Sequence, residues 1–317
     1  MSEKFTGSFT QQEALPDAAI EAALQVLRHG RLHRYNVTEG ELGETALLEQ
    51  EFAAQVGAKY CLAVASGGYA LATALRAVGV KHGDKVLTNA FTLAPVPGAI
   101  ASVGASPVFV GVTEDLTIDL EDLAAKADQA DFLMLSHMRG HLCDMDRLMQ
   151  ICDAAGIVVI EDCAHTMGAA WNGVASGRQG AVGCYSCQTY KHVNSGEGGL
   201  FVTDDAEVAA RAIMLSGSYM LYERHLAAPA PEVFETVKYE TPNISGRMDN
   251  LRAAILRPQL RDLKSQVARW NERYQVIEAG LRDLPGLTLV ERPEAESYVG
   301  SSIQFLLLDW SAQTCRR

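Results

Sequence analysis

No run in this 317-residue chain approaches the roughly 18 uncharged apolar residues of a membrane span, so no membrane role is expected. Basic charge is in deficit. The 27 lysines and arginines face 39 acidic residues, and a net charge of −12 argues against nucleic acid or an anionic membrane as partner. The opening stretch MSEKFTGSFTQQEALPD lacks the apolar core of a signal peptide, which makes the cytoplasm the expected compartment. Disulfide chemistry has little to build on, because the seven cysteines are odd in number and scattered. Cys184 and Cys187 form a C-x-x-C, but a strand would turn them to opposite faces and no second ligand pair follows. No metal site is expected there. Internal repeats and low-complexity linkers are absent as well.

What remains is the composition of a metabolic protein, 48% hydrophobic and long enough for one large domain plus a smaller part. From about residue 45 to 205, helical and strand-like patterns alternate. ETALLEQEFAAQVGA (44–58), YALATALRAVGV (69–80) and CDMDRLMQICDAAG (143–156) carry helical spacing. YCLAVAS (60–66), DKVLTNAF (84–91), PVFVGV (107–112), DFLMLSH (131–137) and GIVVIEDCA (156–164) are short apolar runs. This alternation predicts an α/β fold with a mainly parallel sheet between helices. Residues 228–243 read as a long loop, and 246–284 as a long helix with a kink at Pro258. Two further strands, in GLTLVERP and SSIQFLLLDW, predict a second, smaller layer.

Ligands of parallel sheets gather at the carboxyl ends of the strands, so the residues there are the ones to weigh. Ser66-Gly67-Gly68 closes one strand and opens a helix. Amides at a helix N-terminus can hold an anion, although a tight turn needs the same glycines. Asp162, at the end of the run GIVVIED, needs a cation or hydrogen-bond donors, whether a structural Arg or Lys or a protonated ring nitrogen. His165 follows it and serves equally well as a satisfied core histidine. Lys191 lies between the strand-like CYSCQ and a glycine cluster. In apolar surroundings its pKa would fall, as a Schiff-base lysine requires, unless its amine reaches water. Ser186, five residues earlier, adds a hydroxyl. Taken in order, these parts would assemble one pocket for pyridoxal 5′-phosphate.

Several longer motifs carry a family resemblance over residues 10–315. ASGGYALATALRAVGV, FTLAPVPGAIASVGASPVFVGV, HMRGHLCDMDRLMQICDAAGIVVIEDCAHTMGA, YSCQTYKHVNSGEGG and GRMDNLRAAILRPQL resemble the motif blocks of the DegT/DnrJ/EryC1/StrS aminotransferases. The resemblance implies the fold of type I pyridoxal-phosphate transferases, with a seven-stranded, mainly parallel sheet. It implies a large domain at 1–245 with an N-terminal arm, and a linking helix and partial small domain at 246–317. Lys191 would form the internal aldimine, with Asp162 on the ring nitrogen and His165 near the ring oxygen. Ser66, Gly67, Gly68 and Ser186 match phosphate binders, Leu93 the residue on the ring face, and Gln188, in the lysine motif, a further cofactor-binding residue. Tyr35, in the RLHRYNV loop, Arg139 and His192 are the substrate-binding candidates. A homodimer with shared sites is implied, in which Ser245 serves the partner's pocket.

The activity so implied is transfer of an amino group from an amino acid, glutamate in much of the family, to a keto-sugar attached to a nucleotide or a related keto acceptor, the cofactor passing through its pyridoxamine 5′-phosphate form. Relatives that act as dehydratases carry histidine in place of the lysine, whereas this chain has Lys191 with His192 beside it. Three positions depart from the pattern. Gly68 replaces a threonine, Leu93 an aromatic, and Ser245 an asparagine. Arg139 stands where a small or aromatic residue is common. Family members also continue past the point where this chain stops, which leaves a binder without turnover, or a dehydratase-like activity, as alternative expectations.

Overall fold

The computed structural model describes residues 6–8, 12–308 and 310–315. Its centre is a seven-stranded sheet of β1 (Tyr60–Val64), β2 (Lys85–Asn89), β3 (Ser106–Val110), β4 (Phe132–Ser136), β5 (Val158–Asp162), β6 (Val182–Ser186) and β7 (Gly199–Thr203). In these labels the strand order is β1-β7-β6-β5-β4-β2-β3. β7 alone runs against its neighbours; the other pairings are parallel. The middle strands are apolar along nearly their whole length because helices cover both faces. Their register matters for function. It sets Ser136 beside Asp162, Asp162 beside Cys184, and Ser186 beside Gly199, all at one edge of the sheet.

The flanking helices in chain order are α1 (Asp17–His29), α2 (Glu44–Val56), α3 (Gly67–Ala77), α4 (Pro95–Ser102), α5 (Leu120–Lys126), α6 (Met145–Ala155), α7 (Ala206–Leu215), α8 (Pro231–Val237), α9 (Asn250–Arg261) and α10 (Leu263–Leu281). One apolar layer joins α3, α4, α7 and α8 to the sheet through Leu71, Leu75, Ile100, Ile213 and Phe234. On the other face, Leu48 and Phe52 of α2 and Leu256 of α9 pack with Tyr185, while Leu123 and Leu148 pack against Leu87 and Leu133. Burying such side chains contributes about 1.5–3 kcal/mol each, which fixes the sheet as a rigid platform. Among the described residues no helix is long and apolar enough to cross a membrane.

Two sequence expectations need correction. The stretch 228–243 contains a helix, α8, opened by Pro231 at its first turn and held by buried Phe234 and Val237. Three prolines in the stretch obscure that helical spacing. Further on, the long helical run breaks at Asp262 rather than bending at Pro258. Pro258 lies inside α9, where it removes one backbone donor, yet α9 continues to Arg261 and α10 begins directly after Asp262. The two expected late strands do form, pairing antiparallel as Leu287–Leu289 with Phe305–Leu307.

A buried polar cluster ties the early loop to this platform. The Arg34 guanidinium meets both oxygens of Glu49 at 2.9 Å, and Glu49 also accepts the Ala63 N–H of β1 at 2.8 Å. His225 and the Tyr35 hydroxyl complete the cluster at 2.7 Å. Burial opposes ionisation of Glu49, but Arg34 and His225 overcome it and hold its pKa down at about 2.

Candidate active site

The carboxyl ends of β4, β5 and β6 and the N-terminus of α3 enclose a cavity of about 360 Å³. Ser66, Gly67, Gly68, Asp162, Ser186 and Lys191 all line it. Ser66 caps α3, its hydroxyl accepting the Tyr69 N–H at 3.1 Å. The first amides of a helix have no partner within it, and with Tyr69 capped those of Gly67 and Gly68 are left for something in the cavity. A Cβ built on Gly67 would come within 2.8 Å of the Ser186 Cβ. Only glycine lets α3 approach the end of β6 so closely. That approach brings the helix start and the Ser186 hydroxyl together.

Asp162 sits at the inner end. Its Oδ1 accepts the Ala164 N–H at 3.1 Å, and its Oδ2 accepts the Ser136 hydroxyl at 3.3 Å. Ser136 in turn accepts from the Thr92 hydroxyl at 2.8 Å. Asn89 fixes the Ser136 backbone on both sides, accepting its N–H at 2.8 Å and donating to its carbonyl at 3.0 Å. Burial raises the Asp162 pKa, while the Ala164 amide, Lys191, His137 and Ser136 oppose the rise. A buried carboxylate short of positive charge favours a cationic ring nitrogen as its missing partner.

Lys191 Nζ lies 3.1 Å from His165 Nε2. Burial lowers the Lys191 pKa, Asp162 opposes the fall, and Arg139 adds to it. His165 is held down at about 3 by burial, then by Lys191, Arg139 and His192. Its ring is therefore neutral at physiological pH and its Nε2 accepts from the lysine amine. This arrangement supplies an amine whose neutral form is accessible, next to a carboxylate and an anion cradle.

A second, larger cavity of about 820 Å³ opens outward from the first, sharing Leu93, Ala164, His165, Gln188 and Lys191 with it. Arg139, Arg269 and Trp270 stand in its wall. Leu93 is 43% exposed and so is free to cover a ligand's face. His192 also lines this cavity but is largely buried, with its Nε2 at 3.0 Å from the Ser301 hydroxyl and its ring edge-on to Trp270. Gln188 turns its side-chain oxygen to the Tyr190 N–H at 3.0 Å.

Two candidates do not join these residues. Tyr35 lines neither cavity of its own chain; it is buried at 5% exposure and its hydroxyl is engaged with His225. Ser245 is exposed, 3.3 Å from the Tyr219 hydroxyl, and likewise lies outside both linings. Conversely, Asn89, Thr92, Ser136, Glu197, Arg269 and Trp270 escaped the sequence reading. Asn89 and Ser136 end the apolar strands KVLTN and FLMLS, the same signal that singled out Asp162. His137, Glu161 and Cys163 converge behind the site, but Glu161 is already engaged by His137 and the amides of Gly177, Gln179 and Gly180. That carboxylate anchors a loop.

The donor set fits pyridoxal phosphate. Helix amides and the Ser186 hydroxyl suit a phosphate, Asp162 suits a pyridinium, and Lys191 suits an aldehyde, all in one cavity.

The model of the DegT/DnrJ/EryC1/StrS aminotransferase family matches residues 16–315. The chain is similar to the L-glutamine:2-deoxy-scyllo-inosose aminotransferase of Streptomyces lividus, with 32% identity over 84% of this chain and 63% of that protein. It is 38% identical to a putative L-glutamine:3-amino-2,3-dideoxy-scyllo-inosose aminotransferase of Micromonospora echinospora, over 53% of this chain and 40% of that protein. The chain thus spans less than two thirds of the length of these relatives. Among solved structures, DesV from S. venezuelae, in complex with a ketimine intermediate, is similar with a TM-score of 0.77 and 30% identity, over 90% of this chain and 73% of that one. The 3-amino-5-hydroxybenzoic acid synthase is similar with the same TM-score at 28% identity, over 92% and 74%.

Proposed function

The chain belongs to the DegT/DnrJ/EryC1/StrS aminotransferase family, and from that premise we propose that it is a pyridoxal-phosphate-dependent aminotransferase. Its donor would be an amino acid, glutamate or glutamine, and its acceptor a keto-sugar, nucleotide-linked or free, or a related keto-polyol. The names of the Streptomyces and Micromonospora relatives support glutamine and a cyclic keto-polyol as candidates. The observation that carries the reading is Lys191, 3.1 Å from neutral His165 in a cavity shared with Asp162 and the start of α3.

When bound, pyridoxal phosphate supplies the aldehyde carbon and electron-accepting ring that transamination needs. The residues around it divide the remaining work. The amides of α3 and the Ser186 hydroxyl receive the phosphate and set depth. Asp162, oriented by Ser136 and Ala164, places negative charge at the inner end. Lys191, its pKa lowered by burial, can take a proton at Nζ and return it, acting as base and then acid. His165 accepts from that amine and so aims it. Leu93, shared by both cavities, and Trp270, in the outer one, supply apolar wall.

We assign the active form as a homodimer, with exposed Ser245 offered to the partner's cavity; sedimentation of the loaded protein tests this, and a monomer would overturn it. The activity itself is tested by loading the protein with pyridoxal phosphate and adding glutamate or glutamine. Conversion of the absorption band to that of the pyridoxamine form is expected with one of them. A band that neither donor changes would contradict the proposal as to donor and turnover.

A further inference from the structure

Arg139 follows β4 with its backbone in the left-handed region, φ 59° and ψ 16°. For a residue with a Cβ this conformation costs about 1–2 kcal/mol. It is held in place from outside, since the Ser302 hydroxyl donates to the Arg139 carbonyl at 3.1 Å and Arg292 donates to the carbonyl of the next residue, Gly140. Strain maintained in this way at a cavity wall points to a use for the side chain.

The guanidinium has no hydrogen-bonding or ion-pair partner among the described residues. Other charged groups of the outer cavity are already engaged. Arg269 meets Glu13 at 2.7 Å, and Asp262 accepts from Ser265 and Gln266. Arg139 also acts on Lys191 and His165, lowering the pKa of both after burial has done so. Glu13 and Asp262 are taken up by those partners and Asp162 faces Lys191, so among the described residues the Arg139 guanidinium is left without an acid of its own, in a concave site where charge is felt more strongly than on an open surface.

We propose that Arg139 is the carboxylate-binding residue of the outer cavity, so that at least one of the two reactants carries a carboxylate there. A single planar guanidinium matches a singly charged, planar carboxylate with two parallel hydrogen bonds. A nucleotide diphosphate would call for several cations, and this wall offers one that is uncommitted. The proposal rests on the aminotransferase reading. The carboxylate belongs either to the amino-acid donor or to an acidic acceptor such as a keto-uronic sugar.

The test uses the cofactor-loaded protein and calorimetric titration with glutarate, which has the donor's skeleton, and glucuronate, an acidic sugar. Glutaramide and glucose are the neutral controls. Wild type is expected to bind one of the acids more tightly than its neutral counterpart. Arg139→Gln should weaken that acid roughly 10- to 100-fold, the size of a charge-assisted hydrogen bond, and leave the neutral compounds unchanged. Arg139→Lys should recover part of the loss. Dependence seen with glutarate assigns the donor, and with glucuronate the acceptor. Equal affinities in wild type and Arg139→Gln, or no preference of wild type for either acid, would overturn the proposal. Failure of the aminotransferase reading would show separately, as absence of the cofactor band before any titration.

Discussion

Adjacent glycines at the start of α3 should respond to the same substitution with opposite signs. A Cβ on Gly67 would lie 2.8 Å from the Ser186 Cβ and 3.2 Å from its Oγ. The Ser186 backbone is fixed by pairing with Gly199 in β7, so the strand cannot retreat cheaply. Overpacking of this kind costs about 1–3 kcal/mol, and Gly67→Ala should lose that much stability. On Gly68 the nearest atom to a new Cβ is the Pro95 Cβ at 3.9 Å, an ordinary contact. There the reduced freedom of the unfolded chain should dominate, so Gly68→Ala should gain about 0.4–1 kcal/mol. Urea unfolding at neutral pH, without cofactor, measures both. Titration with pyridoxal phosphate supplies the second readout. Gly67→Ala should weaken binding by pushing the helix start away from Ser186, and Gly68→Ala should bind nearly as well as wild type. Equal unfolding midpoints and equal affinities for the two variants would refute the close approach of α3 to β6.

Other outcomes follow from the same geometry. Gly68→Thr should tighten the cofactor several-fold, because residue 68 lines the cavity and an added hydroxyl there can supply a hydrogen bond whose net contribution is about 1 kcal/mol; an unchanged titration would count against a phosphate there. Ser136→Ala should leave the Asp162 Oδ2 and Thr92 hydroxyl without their partner, raise the carboxyl's pKa further and weaken cofactor binding about tenfold. Unaltered binding would remove Ser136 from the site. Glu49 has a folded-state pKa of about 2, below its usual 4.5, so its contribution is complete above pH 4.5 and is lost as pH falls toward 2. Glu49→Gln should therefore flatten the acid limb of the stability profile, and at neutral pH it should cost about 3–5 kcal/mol by leaving Arg34 buried and unpaired. A parallel acid limb in wild type and variant would refute that link.

Much of the site was legible because strands that end in polar residues announce the ligand edge of a parallel sheet. Asp162, Ser186 and Lys191 stood out as polar groups in or after apolar runs, and the structure places all three in one cavity. The contacts that orient them were hidden. Ser136 reaches Asp162 only through the register of β4 on β5, and Asn89 is 47 residues from the backbone it clamps. Tyr35 shows burial that a local pattern hides. A hydrophilic loop sequence concealed a residue whose hydroxyl is satisfied by His225, 190 residues away, and whose neighbour Arg34 is neutralised by Glu49. Local pattern also misplaced the break after α9, since Pro258 costs one donor but its neighbours keep the helix until Asp262. Long-range pairing decides such cases, and a single sequence carries no record of it.

The central claim is that Lys191 is the amine that holds the cofactor. Incubation with pyridoxal phosphate, reduction with borohydride and peptide mass analysis test it directly. One stable adduct is expected, on the peptide containing Lys191, with its loss in Lys191→Ala while that variant still unfolds cooperatively. An adduct on another lysine, or none on Lys191 at saturating cofactor, would contradict it.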